Sequence, residues 1–360
     1  MIQAAAHVKL NMQALRHNVD RVREYAPESK VMAVIKANAY GHGMVTIAQH
    51  LSSNVDALAV ARIDEAVRLR AANITGRILV LQGFTQAEEL DVFLQYQLDA
   101  VVHSEQQIQI LEAASLDSQL SVFFKVDTGM NRLGVLPKQF SKLLLRLQQC
   151  ASVNPSISFM THFSNADDIQ DNKTAQQLAL FEQLTKGYGG DKSCANSAAI
   201  VAWPEARTDW VRPGLMLYGV SPLLHGTAKS LDLKPVMSLY SRIIALKQVT
   251  KGEAVGYGSG WVAEKEMLIG VVSIGYGDGY PRYAKNGTPV LIANTRVPLA
   301  GRVSMDMLTI DLSTCPKTKV GDKVTLWGEG LPVEEIASYS GTIPYTLLCG
   351  ITRRVQVISI

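Results

Sequence analysis

The stretch Val31-Met32-Ala33-Val34-Ile35-Lys36-Ala37-Asn38-Ala39-Tyr40-Gly41-His42-Gly43 changes character at its midpoint. Its apolar, partly β-branched opening reads as a buried strand over 31–36, and the small residues and glycines after it read as the exit turn. The same unit recurs along the chain. Strands are predicted near 56–61, 77–82, 99–103, 121–127, 156–163, 192–195 and 208–212. Between them, apolar residues recur at intervals of three and four over 63–72, 86–94, 105–114, 139–149 and 173–184, the period of an amphipathic helix. Eight strands, each followed by a helical or turn segment, predict an α/β architecture, a (β/α)8 TIM barrel of about 220 residues. A doubly wound sheet is the alternative, because a count of strands does not show closure.

Beyond Leu231 the texture changes. Strand-like runs at 239–246, 267–274, 288–292, 307–311 and 323–326 are separated by Gly-rich turns, with a helical period only near 333–339. The expected organisation is therefore a barrel over 9–231 and a mostly β C-terminal domain over 232–360, with residues 1–8 packed on the latter. Of 360 residues, 47% are hydrophobic and 19% charged, too apolar for a disordered chain. No apolar run reaches the roughly 18 residues of a membrane span. The net charge of +3 is dispersed, which argues against a nucleic-acid-binding face. Cys150, Cys194, Cys315 and Cys349 stand far apart, so neither a disulfide framework nor a zinc site is expected. The first ten residues do not read as a secretory signal, and a cytoplasmic protein with reduced thiols is the expectation.

Barrel active sites lie at the carboxyl ends of the strands. The first predicted strand closes on Lys36, which either simply reaches water or is desolvated enough to lose its proton and form a Schiff base. The fifth runs into Lys125-Val126-Asp127-Thr128-Gly129-Met130-Asn131-Arg132-Leu133-Gly134, a solvated loop or an anion-binding corner in which Arg132 grips a carboxylate. The sixth brings His162 to the mouth. The seventh and eighth lead into Ala195-Asn196-Ser197 and Val211-Arg212-Pro213-Gly214, where barrels commonly hold phosphate. A lysine, a phosphate-like corner and an arginine at one rim point to pyridoxal phosphate. In the second domain, Gly256-Tyr257-Gly258-Ser259-Gly260 and Gly275-Tyr276-Gly277-Asp278-Gly279-Tyr280 lack the strand, helix and third glycine of a dinucleotide fingerprint. They read as loops that present a tyrosine. No His, Cys, Asp or Glu cluster has metal-ligand spacing.

With these residues in hand, the chain resembles the bacterial alanine racemases over essentially its whole length. The similarity is carried by Val34-Ile35-Lys36-Ala37-Asn38-Ala39-Tyr40-Gly41-His42-Gly43, Val126-Asp127-Thr128-Gly129-Met130, Arg132-Leu133-Gly134, Val211-Arg212-Pro213-Gly214, Gly256-Tyr257-Gly258 and Gly301-Arg302-Val303-Ser304-Met305-Asp306, in order and at similar spacing. The resemblance implies pyridoxal 5'-phosphate as cofactor and two bases flanking alanine, Lys36 on one face and Tyr257 of a second subunit on the other, hence a homodimer with shared active sites. It implies His162 and Arg212 as the chain behind the tyrosine, with Arg212 also facing the pyridine nitrogen, where a fixed cation disfavours protonation. It further implies cofactor binding by Tyr40, Asn196, Ser197, Gly214 and Tyr345, and substrate carboxylate binding by Arg132 and the Met305 backbone N–H. Asp167, Tyr276, Arg282 and Arg302 resemble residues of the substrate entry corridor. Lys125 resembles a lysine that many members carry as a carbamate. The implied role is D-alanine supply for peptidoglycan, or its catabolic counterpart.

Two positions depart from the family pattern: Asn131, where many members have Gly, and Thr346, where many have Glu. Three rivals are weaker. Broad-range racemases of this kind usually carry a secretion signal. Related decarboxylases resemble a different pattern, with a glycine run for the phosphate and an acid at the pyridine nitrogen. Cofactor-holding proteins without turnover resemble the barrel alone.

Overall fold

The computed structural model describes residues 4–360; residues 1–3 of the segment expected to pack on the C-terminal domain lie outside the described residues. Eight parallel strands, Lys30–Val34, Ala57–Val60, Ile78–Val80, Asp99–Val102, Val122–Lys125, Ser158–Met160, Lys192–Asn196 and Trp210–Arg212, form a closed barrel. Closure rests on the register of last strand to first, Lys30 opposite Trp210 and Val31 opposite Val211. That pairing excludes the doubly wound alternative. Nearly every strand residue is buried, as expected when one face fills the interior and the other meets helices. The helix Phe140–Gln149 shows the rule: Phe140, Leu143, Leu144 and Leu147 are its buried residues, a stripe at the helical period.

The barrel strands are shorter than their apolar runs. The strand read over 31–36 ends at Val34, so Lys36 does not close it but opens the next turn. His162 likewise lies two residues beyond the strand Ser158–Met160. In both places apolar composition continues past the last ladder bond, because residues at the barrel mouth are still enclosed by loops.

A second compact unit contains Thr227–Ile360 together with residues 4–17 and Tyr218–Ser221. The 13-residue strand Met237–Val249 organises it. It pairs antiparallel with His7–Leu10, Lys323–Trp327 and Met267–Val272, and its register shifts between Ile243 and Ala245 where it passes from one set of partners to the other. The sheet is completed by Gln356–Ser359 beside His7–Leu10, by Pro289–Ile292 and Thr295–Pro298 beyond Lys323–Trp327, and by Leu308–Asp311 beside Met267–Val272. Two short helices, Val333–Tyr339 and Pro344–Cys349, belong to this unit; only the first has a legible period. Among the described residues, no helix is long and apolar enough to cross a membrane.

Candidate active site

Lys36 begins an unusual turn. Ala37, Asn38, Ala39 and Tyr40 have φ of 52°, 55°, 54° and 51°, a full turn of left-handed helix built from L residues. Each such residue costs about 1–2 kcal/mol, so the segment persists only because its surroundings over-determine it. The Glu65 carboxylate, on the helix Ile63–Ala71, accepts from Ala37 N at 2.7 Å through Oε1 and from Ala61 N at 2.8 Å through Oε2. Asn38 Oδ1 accepts from Met44 N at 3.0 Å. His42 Nδ1 lies 3.0 Å from the carbonyl oxygens of both Ala39 and Tyr40. The turn leaves Lys36 half-buried at the barrel mouth and Tyr40 buried.

Tyr40 reaches the end of the eighth strand. A Cβ on Gly214 would stand 2.6 Å from the Tyr40 hydroxyl oxygen, so only glycine allows that approach. Ser197 joins them: its Oγ accepts from Gly214 N at 2.8 Å and Met216 N at 3.4 Å. Asn196 stands next to Ser197 and caps the short helix Ser197–Ala202, its Oδ1 accepting from Ala199 N at 3.0 Å.

Deeper in the mouth, the buried guanidinium of Arg212 donates to Thr161 O at 2.7 Å, Cys194 O at 3.2 Å and Ser193 Oγ at 2.5 Å. Its Nη2 also faces His162 Nδ1 at 3.4 Å, which makes Nδ1 the acceptor and puts the imidazole proton on Nε2. Loss of water, then the charges of Arg212, Lys125, Arg132 and Lys36, hold His162 well below the ordinary histidine pKa. The ring is neutral at physiological pH. Burial first, then Arg212 and Arg132, lowers the Lys125 pKa to about 8, with Asp127 opposing. Asp127 also shapes the loop that carries Arg132, its Oδ1 accepting from Gly129 N and Met130 N at 2.9 Å and Asn131 N at 3.1 Å. Asn131 has φ of 57°, a conformation that glycine and asparagine adopt more readily than other residues; the departure from Gly at this position is thereby absorbed. Asp167 is half-buried beyond the sixth strand, its carbonyl accepting from Leu224 N at 3.1 Å.

In the β unit, Tyr257 stands on the turn Tyr257–Ser259 and is 71% exposed. The turn lies against Arg302, whose Nη1 would be 3.2 Å from a Cβ on Gly258. Arg302 and Arg282 line one cavity of about 590 Å³ with Lys285 and Asn286. Tyr276 and Met305 are brought together by Tyr276 N donating to Ser304 O at 3.0 Å and Gly277 N donating to Met305 O at 2.8 Å. Asp278 and Asp306 hold this pair of loops through Arg354, at 3.3 and 2.7 Å. Tyr345 lies in the first turn of the helix Pro344–Cys349, partly exposed.

Sequence reading missed Glu65, Thr161, Ser193 and the buried Gln177. Gln177 donates to His162 O at 3.2 Å and Thr128 Oγ1 at 3.3 Å, and accepts from Ser164 N at 3.0 Å. None carries a local motif. Each is a polar residue inside an ordinary helical or strand pattern, and only the fold turns it toward the site.

Residues 10–222 match the family model described as the N-terminal domain of alanine racemase, and residues 236–359 its C-terminal domain. The alanine racemase of Vibrio cholerae serotype O1 is 49% identical over 353 residues, 98% of each chain. That of Photobacterium profundum is 48% identical over 355 residues, 98% of this chain and 99% of its own. The crystal structure of biosynthetic alanine racemase from Pseudomonas aeruginosa superposes with a TM-score of 0.96 at 43% identity, covering 100% of both chains. Both domains match in order, and the similarity extends over the whole chain at identities far above those of mere fold likeness. The chain therefore belongs to the alanine racemase family.

Proposed function

We propose that this protein is a pyridoxal 5'-phosphate-dependent alanine racemase, interconverting L- and D-alanine as a cytoplasmic homodimer and supplying D-alanine for peptidoglycan. The observation that carries the reading is the charge of the barrel mouth. Lys36, Lys125, Arg132 and Arg212 all bear on His162, while Asp127 alone opposes them at Lys125. Such a field suits an anionic cofactor and an amino-acid carboxylate. The corner of Tyr40, Ser197 and Gly214, too tight for a Cβ, fits close approach of a phosphate to backbone and hydroxyl groups.

In this reading Tyr40, Ser197 and Gly214 hold the phosphate, with Asn196 and Tyr345 supporting it. When bound, pyridoxal phosphate supplies an electrophilic carbon for the amino group and a π system that accepts electron density from Cα. Racemisation removes the Cα proton from one face and returns one to the other, so two bases are needed. Lys36 Nζ is the base on one face, and the phenol oxygen of the partner subunit's Tyr257 is the base on the other. The exposure of Tyr257 on its own subunit supports that assignment. Arg212 keeps its proton and would present a fixed cation to the ring nitrogen of the bound cofactor, and neutral His162 would relay polarity from Arg212 toward the tyrosine. Arg132 and the Met305 N–H orient the substrate carboxylate. Asp167, Tyr276, Arg282 and Arg302 line the way in. A lysine with a pKa near 8 is partly unprotonated in mild alkali, so Lys125 Nζ adds carbon dioxide with release of one proton, and the resulting carbamate pairs with Arg132. Intact mass in bicarbonate buffer tests that adduct; a free ammonium under those conditions refutes it.

The reaction is tested by incubating the protein and pyridoxal phosphate with L-alanine in heavy water, then separating the alanine by chiral chromatography and weighing it by mass analysis. D-alanine carrying deuterium at Cα is the expected product. Recovery of L-alanine alone overturns the reading.

A further inference from the structure

We infer that His42 is a positioning residue for the turn between the first barrel strand and the helix after it. Its Nδ1–H, donated to the carbonyls of Ala39 and Tyr40, locks residues 37–40 in the left-handed conformation and so fixes Lys36 and the Tyr40 hydroxyl at the barrel mouth. The inference rests on the reading that these two residues hold the cofactor. A left-handed turn of non-glycine residues has a right-handed competitor that is intrinsically cheaper by about 1–2 kcal/mol per residue. The competitor would leave Lys36 tethered to Ile35 but carry Tyr40 away from Gly214. Glu65 and Asn38 hold the beginning of the turn through Ala37 N and Met44 N. His42 holds its end, at the two residues next to the phosphate corner.

His42 is completely buried, and both atoms facing Nδ1 are carbonyl oxygens. Nδ1 must therefore carry the hydrogen, shared between two acceptors. Desolvation, opposed by those same carbonyls, lowers the His42 pKa to about 4, so the ring is a fixed neutral donor throughout the physiological range. Neither proton transfer nor cofactor contact is asked of it.

Two variants separate the hydrogen bond from the packing. His42→Phe keeps the ring without the donor; His42→Asn places an amide nitrogen where Nδ1 stands, without the ring. Hydrogen exchange on the full chain, with and without pyridoxal phosphate, reads the amides of Gly41, His42 and Gly43, whose bonds to the Ala37, Ala39 and Asn38 carbonyls, respectively, exist only in this turn. Titration with pyridoxal phosphate, and borohydride trapping with peptide mass analysis, read the site. His42→Phe is expected to exchange over 36–43 faster by about tenfold, the scale of one neutral hydrogen bond, and to bind pyridoxal phosphate correspondingly more weakly. His42→Asn should recover most of both. Wild-type exchange and affinity in His42→Phe overturn the inference. If His42→Phe does not fold, His42→Asn decides alone, and accelerated exchange over 36–43 in that variant overturns it. Failure of the cofactor reading is recognised separately, by a wild-type protein in which Lys36 is not trapped.

Discussion

Replacing Gly214 by alanine isolates a single steric contact. Gly214 is not in the left-handed region, so its backbone accepts alanine, and the lower entropy of the unfolded chain alone would favour the variant by about 0.4–1 kcal/mol. The new Cβ, however, meets the Tyr40 hydroxyl at 2.6 Å and its Cζ at 3.3 Å. Carbon contacts are comfortable near roughly 3.5 Å, so the phenol has to retreat by nearly ~1 Å. Its backbone is pinned in the left-handed turn and cannot move with it. Overpacking of this kind costs about 1–3 kcal/mol, leaving a net loss of ~1–2 kcal/mol after the entropic gain. Tyr40→Phe removes the clashing oxygen, so Gly214→Ala should be nearly harmless in that background. Urea unfolding of wild type, both singles and the double gives the cycle; the entropic gain is common to both backgrounds and cancels, so the coupling is expected at the full overpacking cost, about 1–3 kcal/mol. Pyridoxal phosphate affinity should fall in Gly214→Ala. An unchanged unfolding midpoint with unchanged affinity, or additivity within about 0.5 kcal/mol, refutes the argument that this corner is built around the hydroxyl.

Three further outcomes are expected. Tyr257→Phe should bind pyridoxal phosphate with unaltered affinity and absorbance yet lose racemisation by about 10²–10⁴, the usual worth of a positioned base; near-wild-type turnover removes Tyr257 from the reaction. In carbon-dioxide-depleted buffer Lys125→Met should be more stable than wild type at neutral pH. A lysine lowered from 10.5 to about 8 by folding is most costly below pH 8, and at 1.36 kcal/mol per unit the gain is roughly 3–3.5 kcal/mol. Because the unfolded state holds the extra proton between the two values, the gain should shrink as pH rises from 8 and vanish near the unfolded pKa. A pH-independent difference in denaturation midpoints contradicts the assigned cause. Glu65→Gln should lower thermal stability by about 2–3 kcal/mol, because its amide turns a donor toward Ala37 N or toward Ala61 N; an unchanged Tm shows that the carboxylate does not hold the turn.

The order of the eight barrel strands, the change of texture after Leu231, and the motifs around Lys36, Arg132, Arg212 and Tyr257 are legible from local pattern. Apolar periodicity reports burial, and burial in short β-branched runs separated by helical periods leaves few architectures. The turn that Lys36 opens was not legible: 31–36 reads as one strand, whereas the ladder stops at Val34 and a left-handed turn begins. Within Ala37-Asn38-Ala39-Tyr40 only Asn38 is of a type that favours positive φ, and a lone Asn does not announce four such residues in a row; the conformation is completed by Glu65 and His42 from outside the segment. His7–Leu10 gives the same lesson for the β unit, where four residues are made a strand by pairing with partners more than two hundred residues away.

The sequence by itself determined the kinds of groups available: a lysine, two arginines, a histidine and small residues at the mouths of predicted strands, and a tyrosine framed by glycines. Closure of the barrel, the neutrality of His162, the depressed pKa of Lys125, and the contact of Tyr40 with Gly214 were decided only by tertiary structure. Periodicity is a property of neighbours along the chain. Closure, desolvation and steric fit depend on which distant residues arrive at the same place, and the chain specifies those only through the whole fold.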